Sequence, residues 1–152
     1  MIRKIYETHI LTQNLQKAIT FYEKLGLTLA HYMEERNVAF FWIGDPSEKQ
    51  QMLGVWEVTS ERFRKNHFAF QISLKEMKSI FNWLKEKGIT PKAEFGKEPI
   101  EPIVFSWMPA ASIFFDDLDG NSLEFIALLP DKPQPEHDIM YLSEWEKLVQ
   151  DS

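Results

Sequence analysis

Three side chains in this sequence are of the types that grip a metal ion: His9 in "ETHILT", His67 in "NHFAFQIS" and Glu124 in "SLEFIALL". Two neutral imidazoles and one carboxylate form a standard set for a divalent ion with open coordination positions. Such an ion keeps a net charge of about +1, binds vicinal oxygens and stabilises an oxyanion as it forms. That chemistry suits a small, oxygen-rich, anionic substrate. Glu124 poses the sharpest question of the three. Side chains alternate across a strand, so Glu124 shares a face with Ile126 and Leu128 in an apolar run. A carboxylate there is costly unless something compensates it, and a cation would. Each residue also has an ordinary reading. A histidine at a strand start is commonly structural, and a strand glutamate commonly faces water or pairs with a lysine. Three such residues arriving together in otherwise apolar strands favour a site.

The elements that must position them occur twice. A strand near Lys4 to Thr12 is followed by a helix from about Asn14 to Leu25, with Leu15, Ala18, Ile19, Tyr22 and Leu25 at helical spacing. Gly26 is a left-handed stop. Three extended runs follow: "LTLAHYM", "NVAFFWIG" and "QMLGVWEV". The order then restarts with the strand "NHFAFQIS" and the helix "SLKEMKSIFNWLKEKG", whose Ser73 and Glu76 have capping-box spacing. Extended runs near "TPKAEF", "ASIFFDD" and "SLEFIALL" complete the second set, with a tight hairpin turn at Asp119-Gly120-Asn121. The pattern predicts an α+β fold of two tandem βαβββ modules, about residues 1–60 and 64–129. A Pro-rich linker over 131–142 and a short C-terminal helix over 143–152 follow, the helix capped by Ser143 and Glu146.

Laying one module on the other sets His9 on His67, each opening its module, and Gly54 on Glu124, with an empty place beside Gly54. Packed about a pseudo-twofold axis, the modules would point His9, His67 and Glu124 into one concavity. Glu57 lies three residues beyond Gly54, on the opposite face of a regular strand. A bulge at Gly54 would turn it inward as a fourth ligand. Trp56 shares the face of Gly54, and Trp107 and Met108 precede the strand leading to the Glu124 hairpin. These three are candidate pocket walls, against the ordinary reading of such residues as core or interface.

Composition narrows the partners. The 152 residues make one ordinary domain, and the net charge of −6 argues against nucleic acid, which needs a basic face. There is no glycine-rich phosphate loop and no cysteine, so thiolate chemistry and disulfides are excluded. No apolar run approaches the roughly 20 residues of a membrane helix. The opening "MIRKIYETHILT" has no continuous apolar segment, so a cytoplasmic chain without a membrane partner is expected.

The paired modules with His9, His67 and Glu124, together with "FFDDLDGNSLEFI" and "AITFYEKLGLTL", resemble the vicinal oxygen chelate superfamily. This group contains glyoxalase I, bleomycin-binding proteins, fosfomycin-modifying transferases and extradiol dioxygenases. The usual last-strand signature is D-P-D-G-N-x-x-E, and Leu118 stands in place of its proline. The resemblance covers residues 1 to about 129. It implies a divalent ion (Mn, Fe, Ni or Zn) held by His9, His67 and Glu124, an open cup-shaped mixed sheet, and a homodimer. Departures from the pattern narrow the activity. Glyoxalase I carries a second glutamate where this chain has Gly54, so its isomerisation lacks a base. The fosfomycin enzymes carry a threonine where Leu11 stands. Extradiol dioxygenases use further acid–base histidines, and the spare His31 and His137 match no motif position. The resemblance implies a metal-dependent enzyme of this superfamily acting on a small molecule. The alternatives are a non-catalytic binder of the bleomycin-sequestering kind and a sensor or structural dimer.

Overall fold

The computed structural model describes residues 1–152, which divide into two units: 1–66 with 117–121, and 67–116 with 122–152. Each unit is built on its own mixed sheet, as the α+β reading predicts.

In the first unit the order is β1 (Glu7–Thr12), α1 (Leu15–Lys24), β2 (Thr28–Met33), β3 (Val38–Ile43) and β4 (Gln51–Glu57). The sheet runs β1-β4-β3-β2, with β1 parallel to β4 and the other pairs antiparallel. Helix α1 forms because Asn14 caps it, accepting from Lys17 N at 3.0 Å, and because Leu15, Ala18, Ile19 and Tyr22 bury one stripe. Glu57 reaches the same helix end, where its Oε2 accepts from Leu15 N at 2.7 Å. The acid thus satisfies an orphan donor at the positive end of the helix dipole. Gly26 closes the helix at φ 108°, in the region that glycine tolerates best.

The Asp117–Asn121 turn belongs to this first unit. Asp117 is buried and accepts four hydrogen bonds: from Tyr22 Oη (2.6 Å), Asn121 Nδ2 (2.8 Å), Asn121 N (2.9 Å) and Asp119 N (2.9 Å). Asp119 accepts from Thr12 Oγ1 at 2.5 Å and Gln13 N at 2.9 Å. Asn121 donates to Leu11 O at 3.0 Å and accepts from Asn66 N at 2.9 Å. The "FY" of the first helix and the "DLDGN" of the last hairpin are therefore two ends of one buried network. Burial, and then the neighbouring Asp117 charge, push the Tyr22 hydroxyl far above the ordinary tyrosine range, so it stays a donor.

The second unit contains β5 (His67–Gln71), α2 (Leu74–Met77), α3 (Ile80–Glu86), β6 (Ile103–Phe105), β7 (Ala110–Asp116), β8 (Ser122–Leu128), β9 (Met140–Tyr141) and α4 (Leu142–Gln150). The sheet runs β5-β8-β7-β6-β9, again with first and last module strands parallel. Several expectations are corrected here. The capping box of Ser73 and Glu76 is present, and it holds Glu76 below the usual carboxylate range. The single expected helix is nevertheless broken at Lys78–Ser79, where Ser79 Oγ bonds back to Glu76 O. "TPKAEF" contributes only isolated bridges, Lys92 with Phe114 and Glu94 with Lys97, and the strand in that place is β6.

The Pro-rich segment is also not a free linker. Gln134 N donates to Ser106 O at 2.9 Å, Ser106 Oγ donates to His137 O, and the segment ends in β9, a fifth strand. Helix α4 begins one residue earlier than its expected cap. Glu144, not Glu146, closes its first turn onto Tyr141 N at 2.7 Å, while Ser143 is engaged with Glu101. Trp145 anchors it, fully buried with Nε1 on Asp131 Oδ2 at 2.9 Å.

Candidate functional site

The compensation of Glu124 is visible in the second unit. Its side chain is only 7% exposed, and it meets no lysine. Ser112 Oγ donates to Oε1 at 2.5 Å, and His67 Nε2 lies 3.2 Å from Oε2. Burial lifts Glu124 above the ordinary carboxylate range, opposed by the Ser112 hydroxyl and by His67. His67 is held by its other nitrogen: Nδ1 lies 2.9 Å from Ser122 O. A carbonyl only accepts, so Nδ1 carries the proton and the Nε2 lone pair is turned to the carboxylate. Two acceptors then face each other, an arrangement that calls for a shared cation, either a proton or a metal ion. The spacing fits a metal. Two ligands about 2.1 Å from one ion stand 3.2 Å apart at an angle of about 100°. The backbone carbonyl behind His67 and the serine behind Glu124 are the kind of support that orients metal ligands.

This pair lies in an open cavity of about 450 Å³, a size suited to a small molecule. Phe95, Phe105, Phe114, Ile126 and Ile139 line it together with Trp107 and Met108, so both second-unit wall candidates are in place. The walls are more apolar than an oxygen-rich anionic substrate calls for. Polar recognition is concentrated at the His67–Glu124 pair. Phe95 packs edge-on to Phe105 and Phe114, at ring distances of 5.4 and 6.0 Å. It does so from a backbone φ of 53°, followed by Gly96 at 71°, in a tight turn that pairs Glu94 with Lys97. A bulky residue in the left-handed region is strained, and here the strain places an aromatic ring on the cavity wall.

In the first unit His9 has different company. Its Nδ1 accepts from Trp56 Nε1 at 2.6 Å, its ring packs edge-on to Phe40, and its Nε2 lies 3.4 Å from Glu7 Oε2. The empty place expected beside Gly54 is filled. A Cβ on Gly54 would come within 3.1 Å of the Phe40 ring and 3.2 Å of the His9 ring. Trp56 therefore serves His9, and Glu57 serves helix α1. Nowhere do three or more His, Cys, Asp or Glu side chains gather as a metal group. His67 and Glu124 come together as a pair within the second unit.

Strand register also corrects the module alignment. Gly54 pairs with His9, but Glu124 pairs with Ala69, and His67 pairs with Ser122. Setting Gly54 on Glu124 therefore sets His9 on Ala69 and Glu7 on His67, a slip of two residues. Burial agrees: residues 7–10 and 67–70 share the order exposed, half-buried, exposed, buried. A two-residue slip keeps the same face, which is why the sequence comparison does not expose it. Glu7, Ser112 and the phenylalanine walls are absent from the sequence reading. Ser112 had a signal, as the lone hydroxyl in the run "AASIFF".

A family model described as the Glyoxalase/Bleomycin resistance protein/Dioxygenase superfamily matches residues 4–125. Among solved structures, the chain is similar to an integron cassette protein from the mobile metagenome of the Halifax Harbour sewage outfall. That match has 28% identity and a TM-score of 0.71, covering 84% of this chain and 100% of the other. A glyoxalase/bleomycin resistance protein/dioxygenase from Nocardioides matches with 23% identity and a TM-score of 0.62, covering 88% and 89% of the two chains. A fosfomycin resistance protein from Listeria monocytogenes, complexed with Mn(II) and sulfate, matches with 23% identity and a TM-score of 0.61, covering 86% and 94%. No curated protein matches the chain by sequence.

Proposed function

The chain belongs to the glyoxalase/bleomycin resistance protein/dioxygenase superfamily, and from that premise we propose that it is a divalent-metal-dependent enzyme acting on a small molecule. His67 and Glu124 are its anchoring ligands, and His9 is the third ligand that the family resemblance carries over. The reading rests on one observation: the His67 Nε2 lone pair and Glu124 Oε2 face each other at 3.2 Å. The Mn(II) in the Listeria relative supports it. A divalent ion here supplies a Lewis acid for vicinal oxygens of the substrate.

The rest is the work of the chain's own residues. Ser112 fixes the carboxylate rotamer, and the Ser122 carbonyl fixes the His67 tautomer. The Phe105, Phe114 and Trp107 walls hold an apolar substrate body and exclude water, so the oxygen-bearing end of the substrate is the part that reaches the pair. The homodimer is part of the same proposal, and light scattering in solution reads it directly.

The apolar walls favour a second reading, a sequestering protein with the same cavity and no chemistry. Element analysis of protein purified without a histidine tag separates the two. The enzyme reading expects near-stoichiometric Mn, Fe, Ni or Zn that disappears in Glu124→Gln. A metal-free preparation that gains no thermal stability from any of these ions favours the binder.

A further inference from the structure

The family match ends at residue 125, and the chain beyond it, all within the second unit, does more than close the fold. Residues 129–139 form a strap. Leu129 N donates to Pro109 O at 2.9 Å, Gln134 N donates to Ser106 O at 2.9 Å, and Ser106 Oγ donates to His137 O. Past the strap, β9 pairs with β6, and the buried Trp145 of α4 reaches back to Asp131 Oδ2 at 2.9 Å, so the strap is held near both ends. Pro130, Pro133 and Pro135 stiffen the run between. Ser106, itself buried, lies in the turn that carries Trp107 and Met108, where Met108 N donates to Phe105 O at 3.3 Å. One serine therefore ties this turn to the strap through both its carbonyl and its hydroxyl. Ile139, at the end of the strap, lines the same cavity as Trp107 and Met108.

The chemistry of that cavity points to one kind of occupant. Trp107 and Phe95 are 62% and 58% exposed, a large apolar surface left to water while the cavity is empty. Phe105 meets Phe95 and Phe114 edge-on, at 5.4 and 6.5 Å, a pattern that a further ring can extend. No lysine or arginine lines the cavity to receive an anion. We propose that the strap is the specificity element of this cavity: Ile139 sets the size of a neutral aromatic ligand, and Ser106 is the positioning residue that ties the Trp107–Met108 turn to the strap bearing Ile139. The inference deepens the small-molecule reading above and rests on it, but on no metal.

The test uses the full chain, stripped of metal by a chelator, and two neutral fluorescent probes of different size, 2-naphthol and N-phenyl-1-naphthylamine. The wild type is expected to bind them saturably. The ratio of affinities, larger probe over smaller, should rise about tenfold in Ile139→Ala and fall about tenfold in Ile139→Trp, since a pocket discriminates at the level of single methylenes. Opposite shifts in the two variants are a readout that simple loosening of the fold does not give. In a Ser106→Ala background the effect of Ile139→Ala should shrink to about threefold or less, because the two residues act through one tether. The anion 2-naphthoate should bind about tenfold more weakly than 2-naphthol, and 1-decanol should displace neither probe. No saturable binding, or an unchanged ratio in both Ile139 variants, overturns the proposal. Equal binding of 2-naphthoate or displacement by 1-decanol overturns the ligand class, and an undiminished Ile139 effect without the Ser106 hydroxyl overturns the role of Ser106. Affinity that rises as the protein is diluted also overturns it, since a second copy of the chain then occupies the cavity. All of these leave the metal reading standing, because none is measured with metal. A chain that binds the probes as expected and takes up no ion keeps the strap and loses only the metal-dependent chemistry.

Discussion

Replacing Tyr22 with phenylalanine removes one oxygen from the centre of the first unit and leaves the ring in place. Tyr22 is fully buried, so no water takes over the lost contact. Asp117 keeps three of its four donors, from Asn121 twice and Asp119 once, but loses the hydroxyl at 2.6 Å. A hydrogen bond to a buried charged group contributes about 1.5–3 kcal/mol. For a chain of 152 residues, each kcal/mol moves the melting temperature by about 2–4 °C, so Tyr22→Phe should melt about 3–12 °C lower. Urea unfolding should show a lower midpoint with an unchanged slope. The wild-type hydroxyl adds a pH signature. Its folded pKa is raised above the unfolded value, so its contribution is full below about pH 10 and is lost as pH rises from there through the folded value. The gap between wild type and Tyr22→Phe should therefore narrow above about pH 10. A loss below about 0.5 kcal/mol at pH 7 would refute the idea that the helix motif and the turn motif are there to meet each other.

Two other substitutions probe the site and its frame. Because burial disfavours the charged form of Glu124, metal-free Glu124→Gln should be the more stable protein at pH 7, its amide reaching His67 Nε2. A cation reverses the order. At an ion concentration of 100 times Kd the wild type gains about 2.7 kcal/mol and the variant nothing, and thermal melts with and without metal read this directly. Gly26→Ala should cost about 1 kcal/mol from backbone conformation alone, since φ is 108° and no atom lies within 4 Å of the added Cβ. Gly26→Asn should cost less, as urea midpoints will report.

The strands and helices were legible because each has a period and a cap of its own: the α1 stripe of Leu15, Ala18, Ile19 and Tyr22, and the box of Ser73 with Glu76. Glu124 was legible because a carboxylate in an apolar strand is an anomaly that calls for compensation, for which the sequence suggests a cation; the Ser112 hydroxyl is an addition from the structure. What sequence could not resolve was register. His9 and His67 look equivalent by eye, and a two-residue slip leaves every face unchanged, so only the lateral partners Gly54 and Ser122 distinguish them. Tautomers are equally silent in sequence, since they depend on whether an indole or a carbonyl comes to rest beside the ring. The break at Ser79 and the strand at Ile103–Phe105 were hidden because local side-chain bonding and proline spacing outweighed the apolar pattern.

The Asp117–Asn121 turn also sets the timetable on which this protein is made. The bonds from Tyr22, Thr12 and Leu11 to that turn bridge 95, 107 and 110 residues of chain. A ribosome delivers β1 to β4 early, yet the acceptor for the Tyr22 hydroxyl arrives only after β7 has been synthesised. Until then the nascent first unit carries buried polar groups without partners, and a gene cut after Asn66 would leave it so permanently. The half of the protein that is translated first cannot be finished until most of the message has been read.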